Sequence, residues 1–122
     1  EPMTLRDFAA VVARKLGAPS GIRAAGDPDA LVRTVAVCGG AGDSLLGRVR
    51  GLGVDVYVTG DLRHHPADES LRDGGPALVD AGHWATEFPW CAQVAELLRS
   101  EFDLPVTVFD TPTDPFGLHS FG

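Results

Sequence analysis

Three short runs of β-branched and apolar residues recur along this chain, each ending at glycine and each followed by a stretch of helical character. Thr34-Val35-Ala36-Val37-Cys38 runs into Gly39-Gly40-Ala41-Gly42-Asp43-Ser44. Val54-Asp55-Val56-Tyr57-Val58-Thr59 ends in Gly60-Asp61, and Ala77-Leu78-Val79-Asp80-Ala81 ends at Gly82. Nearly continuous apolar runs mark strands covered on both faces, which in practice are parallel strands joined by helices. The intervening segments suit that role. Leu45 to Leu52 reads as a short helix. Pro66 to Arg72 reads as another, with its proline in the first turn, where a missing N–H does no harm. Trp84 to Phe102 reads as a longer helix whose start is disturbed by Pro89. The expected fold class is α/β: a layered, largely parallel sheet built from βαβ units, with helices packed on its faces.

Ahead of this repeat, Thr4-Leu5-Arg6-Asp7 has the pattern of a helix N-cap with an acidic residue three positions on. Leu5, Phe8, Ala9, Val12 and Leu16 then fall at helical spacing, and Gly17 and Pro19 close the helix. A short extended stretch from Gly21 to Ala24 and a Gly26-Asp27-Pro28-Asp29 turn follow. At the other end, Leu104 to Phe109 reads as a final strand. Residues 111–122 form a proline- and glycine-containing tail that either wraps the sheet edge or moves freely. With 122 residues, 44% of them hydrophobic and 22% charged, the expectation is one α/β domain over the whole chain.

The net charge of −7 and the scatter of only ten Lys and Arg residues leave no basic stripe for phosphates, so a nucleic-acid partner is not expected. The apolar runs are too short for a membrane helix, and no secretory leader opens the sequence, so a cytoplasmic protein without membrane contact is expected. Cys38 and Cys91 have no metal-ligand spacing and read as reduced, buried thiols.

In open α/β sheets, ligands gather at the carboxyl ends of the parallel strands. Here those ends carry GGAGDS, GDLRHH and DAGHWATE, all placed on one rim. In the last segment His83 and Glu87 stand four residues apart on a nascent helix, so an imidazole nitrogen and a carboxylate can reach one divalent ion; the same spacing also makes ordinary surface ion pairs. Asp80, just before them, could orient the imidazole from behind. In GDLRHH, Asp61 is placed to hydrogen-bond near the site, and at most one of His64 and His65 can point into it. The glycines of the first segment, Gly40 and Gly42 among them, could let backbone N–H groups approach an anion, with Ser44 capping the next helix. Walker-type lysine and GxGxxG spacing are both absent, and tight turns explain the glycines equally well. A Ser44–His83–Asp80 triad lacks a GxSxG elbow, and His119 reads as a solvent-exposed tail residue.

Taken in order, VAVCGGAGDSLL, DVYVTGDLRHHPADES, LVDAGHWATE and a closing TDPF resemble the C-terminal half of the Nif-three-like proteins, whose members are often labelled GTP cyclohydrolase one type two homologues. The resemblance runs from about Leu5 to Phe116. It implies that His83 and Glu87 are ligands of a dinuclear centre of divalent ions (Zn, Mn, Fe or Co), with Glu87 a bridge and His65 beside the centre. It implies hexameric, ring-shaped self-association, and a partnership with an N-terminal half that supplies the remaining ligands. That half has no counterpart in this sequence, so a partial or empty site and an inactive fragment are expected. The activity implied for the whole protein is metal-dependent hydrolysis of a nucleotide or phosphorylated small molecule, with the catalytic residues unassigned. The alternative is a non-catalytic metal-containing scaffold or nucleotide-binding module acting through the ring.

Overall fold

A computed structural model describes residues 1–120. A two-residue strand, β1 (Met3–Thr4), leads into helix α1 (Leu5–Leu16). The start of α1 follows from the cap already legible in sequence: Thr4 accepts from the Asp7 N–H at 3.2 Å. Gly17 ends the helix in the left-handed conformation at φ 57°, a geometry glycine takes without steric cost. Strands β2 (Arg23–Ala25) and β3 (Leu31–Val32) flank a turn in which the Asp29 N–H reaches the Asp27 carboxylate at 3.0 Å. Then come β4 (Val35–Ala41), a 3-10 turn (Asp43–Leu45), α2 (Leu46–Arg50), β5 (Val56–Gly60), α3 (His64–Arg72), β6 (Ala77–Asp80), α4 (His83–Glu87) and α5 (Pro89–Glu101).

The main sheet has the order β2-β6-β5-β4, with β4, β5 and β6 parallel and β2 antiparallel on one edge. The βαβ units expected from the sequence are β4–α2–β5 and β5–α3–β6. Strands β1 and β3 form a separate antiparallel ladder, too short to leave a periodic signal in the sequence.

Alternation along the strands divides the core. Val56, Val58, Val79 and Ala81 face α1, where Leu5, Phe8, Val12 and Leu16 cover them. Tyr57 and Leu78 point the other way, onto Leu46 and Val49 of α2 and Ala67 and Leu71 of α3. Both faces of β5 and β6 are thus buried, which explains why their sequences are apolar without a break.

Three expectations change. Strand β4 does not stop at Cys38 but continues through Gly39 and Gly40 to Ala41, with a register shift between Val37 and Ala41 where Gly40 turns left-handed at φ 73°. The helix beyond β6 begins at His83 and is two helices, divided at Phe88 ahead of Pro89. The strand expected over Leu104 to Phe109 does not form. Pro105 offers no N–H to a ladder, Leu104 and Phe109 are exposed, and the Val106 carbonyl accepts instead from Arg99 at 2.8 Å.

The central position of Leu78, 2% exposed between β5 and β2, sets an expected outcome: Leu78→Ala should lower unfolding free energy in urea melts. The expected loss is about 2–5 kcal/mol. A change under about 1 kcal/mol would contradict the core described here.

Candidate metal centre

The ends of β4, β5 and β6 approach one another more closely than side chains allow. A Cβ on Gly60, at the end of β5, would lie 2.7–2.8 Å from the Gly82 carbonyl and the His83 nitrogen. One on Gly39 would lie 2.9 Å from the Thr86 carbonyl oxygen, and one on Gly42 would collide with the hydroxyls of Thr59 and Tyr57. Those two hydroxyls explain the fit, because Thr59 donates to the Gly40 carbonyl and Tyr57 to the Gly42 carbonyl, each at 3.0 Å. Helix α4 is clasped to the same turn by Thr86, whose Oγ1 accepts the Gly40 N–H at 2.9 Å.

That clasp sets the His83–Glu87 pair on the rim. His83 Nε2 and Glu87 Oε1 are 3.3 Å apart, and both side chains are about half exposed (48% and 57%). A Cβ on Gly40 would collide with Glu87 Oε1 and sit 3.2 Å from His83 Nε2, so glycine there keeps open the space in which the two groups converge. The other imidazole nitrogen, Nδ1, is 2.6 Å from Asp61 Oδ2. Its hydrogen bond to Asp61 is the main reason the His83 pKa rises above the ordinary 6.5. The negative charges of Glu87 and Asp61 add to this, and partial burial opposes it.

Asp80 does not orient His83 as expected. Asp80 is 8% exposed, and its carboxylate is engaged elsewhere: it accepts from the Arg23 guanidinium, from Leu62 N–H at 3.1 Å and from Gly82 N–H at 3.0 Å. It therefore ties together the two loops that carry Asp61 and His83, one step removed from the imidazole. The GGAGDS segment is not an anion cradle, since the Gly40 and Gly42 N–H groups are spent on Thr86 and on the Gly60 carbonyl. Nor does Ser44 cap a helix; it is exposed, and neither the 3-10 turn nor α2 has a side-chain cap. His65 lies exposed at the start of α3, its ring edge-to-face with that of His64 at 5.1 Å, and it does not line the cleft around His83. Cys38 and Cys91 are both free thiols, but half-buried rather than buried as expected.

An open cleft of about 850 Å³ surrounds the pair. Its walls include Arg23, Asp61, His83 and Glu87, and the tail lays Asp114, Phe116 and His119 along it. His119, expected to be exposed, is half-buried there. Nothing in the sequence marks His119, but TDPF does mark its neighbours: the Phe116 N–H bonds the Asp114 carboxylate at 3.0 Å, fixing the turn. Thr86 was equally invisible as a clasp, because a threonine inside HWATE looks like any helical residue. The donor chemistry suits a divalent cation, yet among the described residues no third His, Cys, Asp or Glu joins the pair in a ligand cluster. The chain presents two convergent candidate donors, not a closed site. Among the described residues, no helix is long and apolar enough to cross a membrane.

Known proteins resemble this chain over most of its length. The model of the Duf34/NIF3 (NGG1p interacting factor 3) family matches residues 1–115. The chain is 57% identical over 121 residues to the GTP cyclohydrolase 1 type 2 homolog of Mycobacterium tuberculosis, covering 97% of this chain and 32% of that protein. It is 53% identical to the Streptomyces coelicolor protein of the same name, over 97% of this chain and 44% of the relative. The crystal structure of Staphylococcus aureus hypothetical protein SA1388 superposes with a TM-score of 0.86 at 32% identity, covering 97% of this chain and 40% of that one. The chain thus spans about a third to under a half of the length of these relatives.

Two measurements check the site. Gly60→Ala forces a Cβ against the backbone of Gly82 and His83, which cannot step aside as a flexible side chain could. It should cost about 1–3 kcal/mol of stability, and an unchanged melting temperature would contradict the interlock. The His83 imidazole should titrate above 6.5 by NMR. Its folded pKa exceeds its unfolded one, so its contribution to stability is complete below about 6.5 and is lost as pH rises through the folded value. A midpoint at or below 6.5 would contradict the Asp61 contact.

Proposed function

The chain belongs to the Duf34/NIF3 family, and on that footing we propose that it carries part of a divalent-metal centre, with His83 and Glu87 as ligands. The observation that carries this reading is the convergence of His83 Nε2 and Glu87 Oε1, 3.3 Å apart, over the space Gly40 leaves free at the carboxyl ends of the parallel strands. The remaining ligands come from a part of the longer protein outside this segment, which we take to be its C-terminal portion. Two protein ligands on an open rim hold an ion weakly compared with a closed set of four, so this segment alone has a weak, partial site and no appreciable turnover.

For the longer protein we propose metal-dependent hydrolysis of a nucleotide or phosphorylated small molecule, as the name of its GTP cyclohydrolase 1 type 2 homolog relatives suggests. A bound pair of divalent ions would supply Lewis acidity and a nucleophile at neutral pH. In this chain, His83 offers Nε2 as an uncharged nitrogen donor, and Glu87 offers a carboxylate able to bridge two ions. Arg23 and the tail residues around Asp114 wall the cleft in which substrate would lie. The choice among Zn, Mn, Fe and Co is open to a His-and-carboxylate donor set.

A non-catalytic scaffold is the competing reading. It is favoured by the apolar side chains left uncovered beside the site: Trp90, Phe109 and Phe116 are 64%, 73% and 76% exposed, as expected of a face covered by another chain in a ring-shaped assembly.

Metal analysis of the purified longer protein should find about two divalent ions per chain, and Glu87→Ala should remove them. A nucleotide and phosphoester screen should then show metal-dependent turnover that the same substitution abolishes. Equal metal content in both proteins would overturn the ligand assignment. Metal-dependent binding without turnover would favour the scaffold.

A further inference from the structure

Asp61 is unusual in its backbone as well as in its contact. It is the one non-glycine residue with positive φ among the described residues, at 53°, in the left-handed region that costs most side chains. It follows Gly60, whose backbone abuts Gly82 and His83, so the β5–α3 turn is pressed against the start of α4. Leu62, one residue on, is pinned by its N–H to the buried Asp80 carboxylate, which also holds Gly82. Two loops with fixed backbones thereby bring Asp61 Oδ2 to 2.6 Å from His83 Nδ1. A glycine at this position would satisfy the backbone better, yet the position carries an aspartate. Strained positions that persist in this way concentrate where a side chain has a job.

We propose that Asp61 is a positioning residue that holds the His83 imidazole as its Nδ1–H tautomer, leaving Nε2 unprotonated and turned toward Glu87. Both ring nitrogens face carboxylates, which can only accept, and the single proton of the neutral ring goes to the shorter contact, Nδ1 at 2.6 Å from Asp61 against Nε2 at 3.3 Å from Glu87. The free imidazole has no such constraint. With Nδ1 anchored, rotation about the Cβ–Cγ bond is blocked as well, and the Nε2 lone pair is aimed into the space over Gly40. A carboxylate behind a metal-bound histidine fixes both ring orientation and tautomer and raises the basicity of the donor nitrogen. The assignment rests on the reading of His83 and Glu87 as ligands for its purpose, but not for its geometry.

The test uses two variants of this chain and two readouts. Asp61→Gly relieves the left-handed backbone and removes the acceptor; Asp61→Asn keeps a residue that tolerates that backbone and removes the charge. Both should fold with melting temperatures no lower than the parent by more than a few degrees. Nitrogen NMR of the metal-free proteins above the His83 titration should show Nδ1–H in the parent and a mixture or Nε2–H in Asp61→Gly. Titration with Zn²⁺ alone should show affinity falling roughly 10–100-fold in Asp61→Gly, with Asp61→Asn between it and the parent. An unchanged tautomer in Asp61→Gly overturns the proposal, and so does a shifted tautomer with unchanged Zn²⁺ affinity. If the tautomer shifts while even the parent fails to bind Zn²⁺, the positioning role stands and the ligand reading falls. A variant that merely weakened the fold would lower the melting temperature without moving the tautomer.

Discussion

The rim of this domain depends on backbones approaching where no side chain would fit. Gly39, Gly40, Gly42 and Gly60 bring the ends of β4 and β5 against the start of α4, and Thr59, Tyr57 and Thr86 bind the close-packed chains with hydroxyl groups. Buried backbone groups must find partners, and here the N–H and carbonyl groups of Gly40 and Gly42 find them in these hydroxyls and in the Gly60 carbonyl. His83, Glu87 and Asp61 all stand on that platform, so their mutual distances are inherited from the interlock rather than from long side chains choosing one another.

Much of the architecture was legible in the sequence because it follows from burial. Val56, Tyr57, Val58 and Leu78, Val79 are apolar without a break because both faces of β5 and β6 are covered, and a strand of that kind implies parallel neighbours and helices. Thr4 and Gly17 announced the ends of α1, and Pro89 announced the division between α4 and α5. The His83–Glu87 pair was legible for a similar reason: helical spacing brings positions four apart to one face.

Other features were hidden where local pattern and tertiary contact disagree. Glycines Gly40 and Gly42 suggested an anion loop, but what they serve is close packing, and that depends on Thr86 and Tyr57, far away in sequence. Asp80 is adjacent in sequence to the site, yet Arg23 and the Leu62 and Gly82 N–H groups claim it, and the contact with His83 falls to Asp61 from the turn after β5. The stretch from Leu104 to Phe109 has the composition of a strand but lacks a ladder, because Pro105 breaks its donors. His119 gave no signal, since nothing in a tail of prolines and glycines says which way it turns back.

Without a metal, His83 lies between two carboxylates, held by one hydrogen bond through Nδ1 to Asp61 and with Nε2 3.3 Å from Glu87. A divalent ion between Nε2 and Glu87 would leave the Asp61 bond intact, so little needs to move. The direct measurement is anomalous diffraction from crystals of the chain grown with excess Mn²⁺ or Zn²⁺. The expected result is a peak roughly 2.0–2.2 Å from both His83 Nε2 and Glu87 Oε1, with Nδ1 still bonded to Asp61. A peak elsewhere, with His83 and Glu87 still paired only to each other, would contradict it.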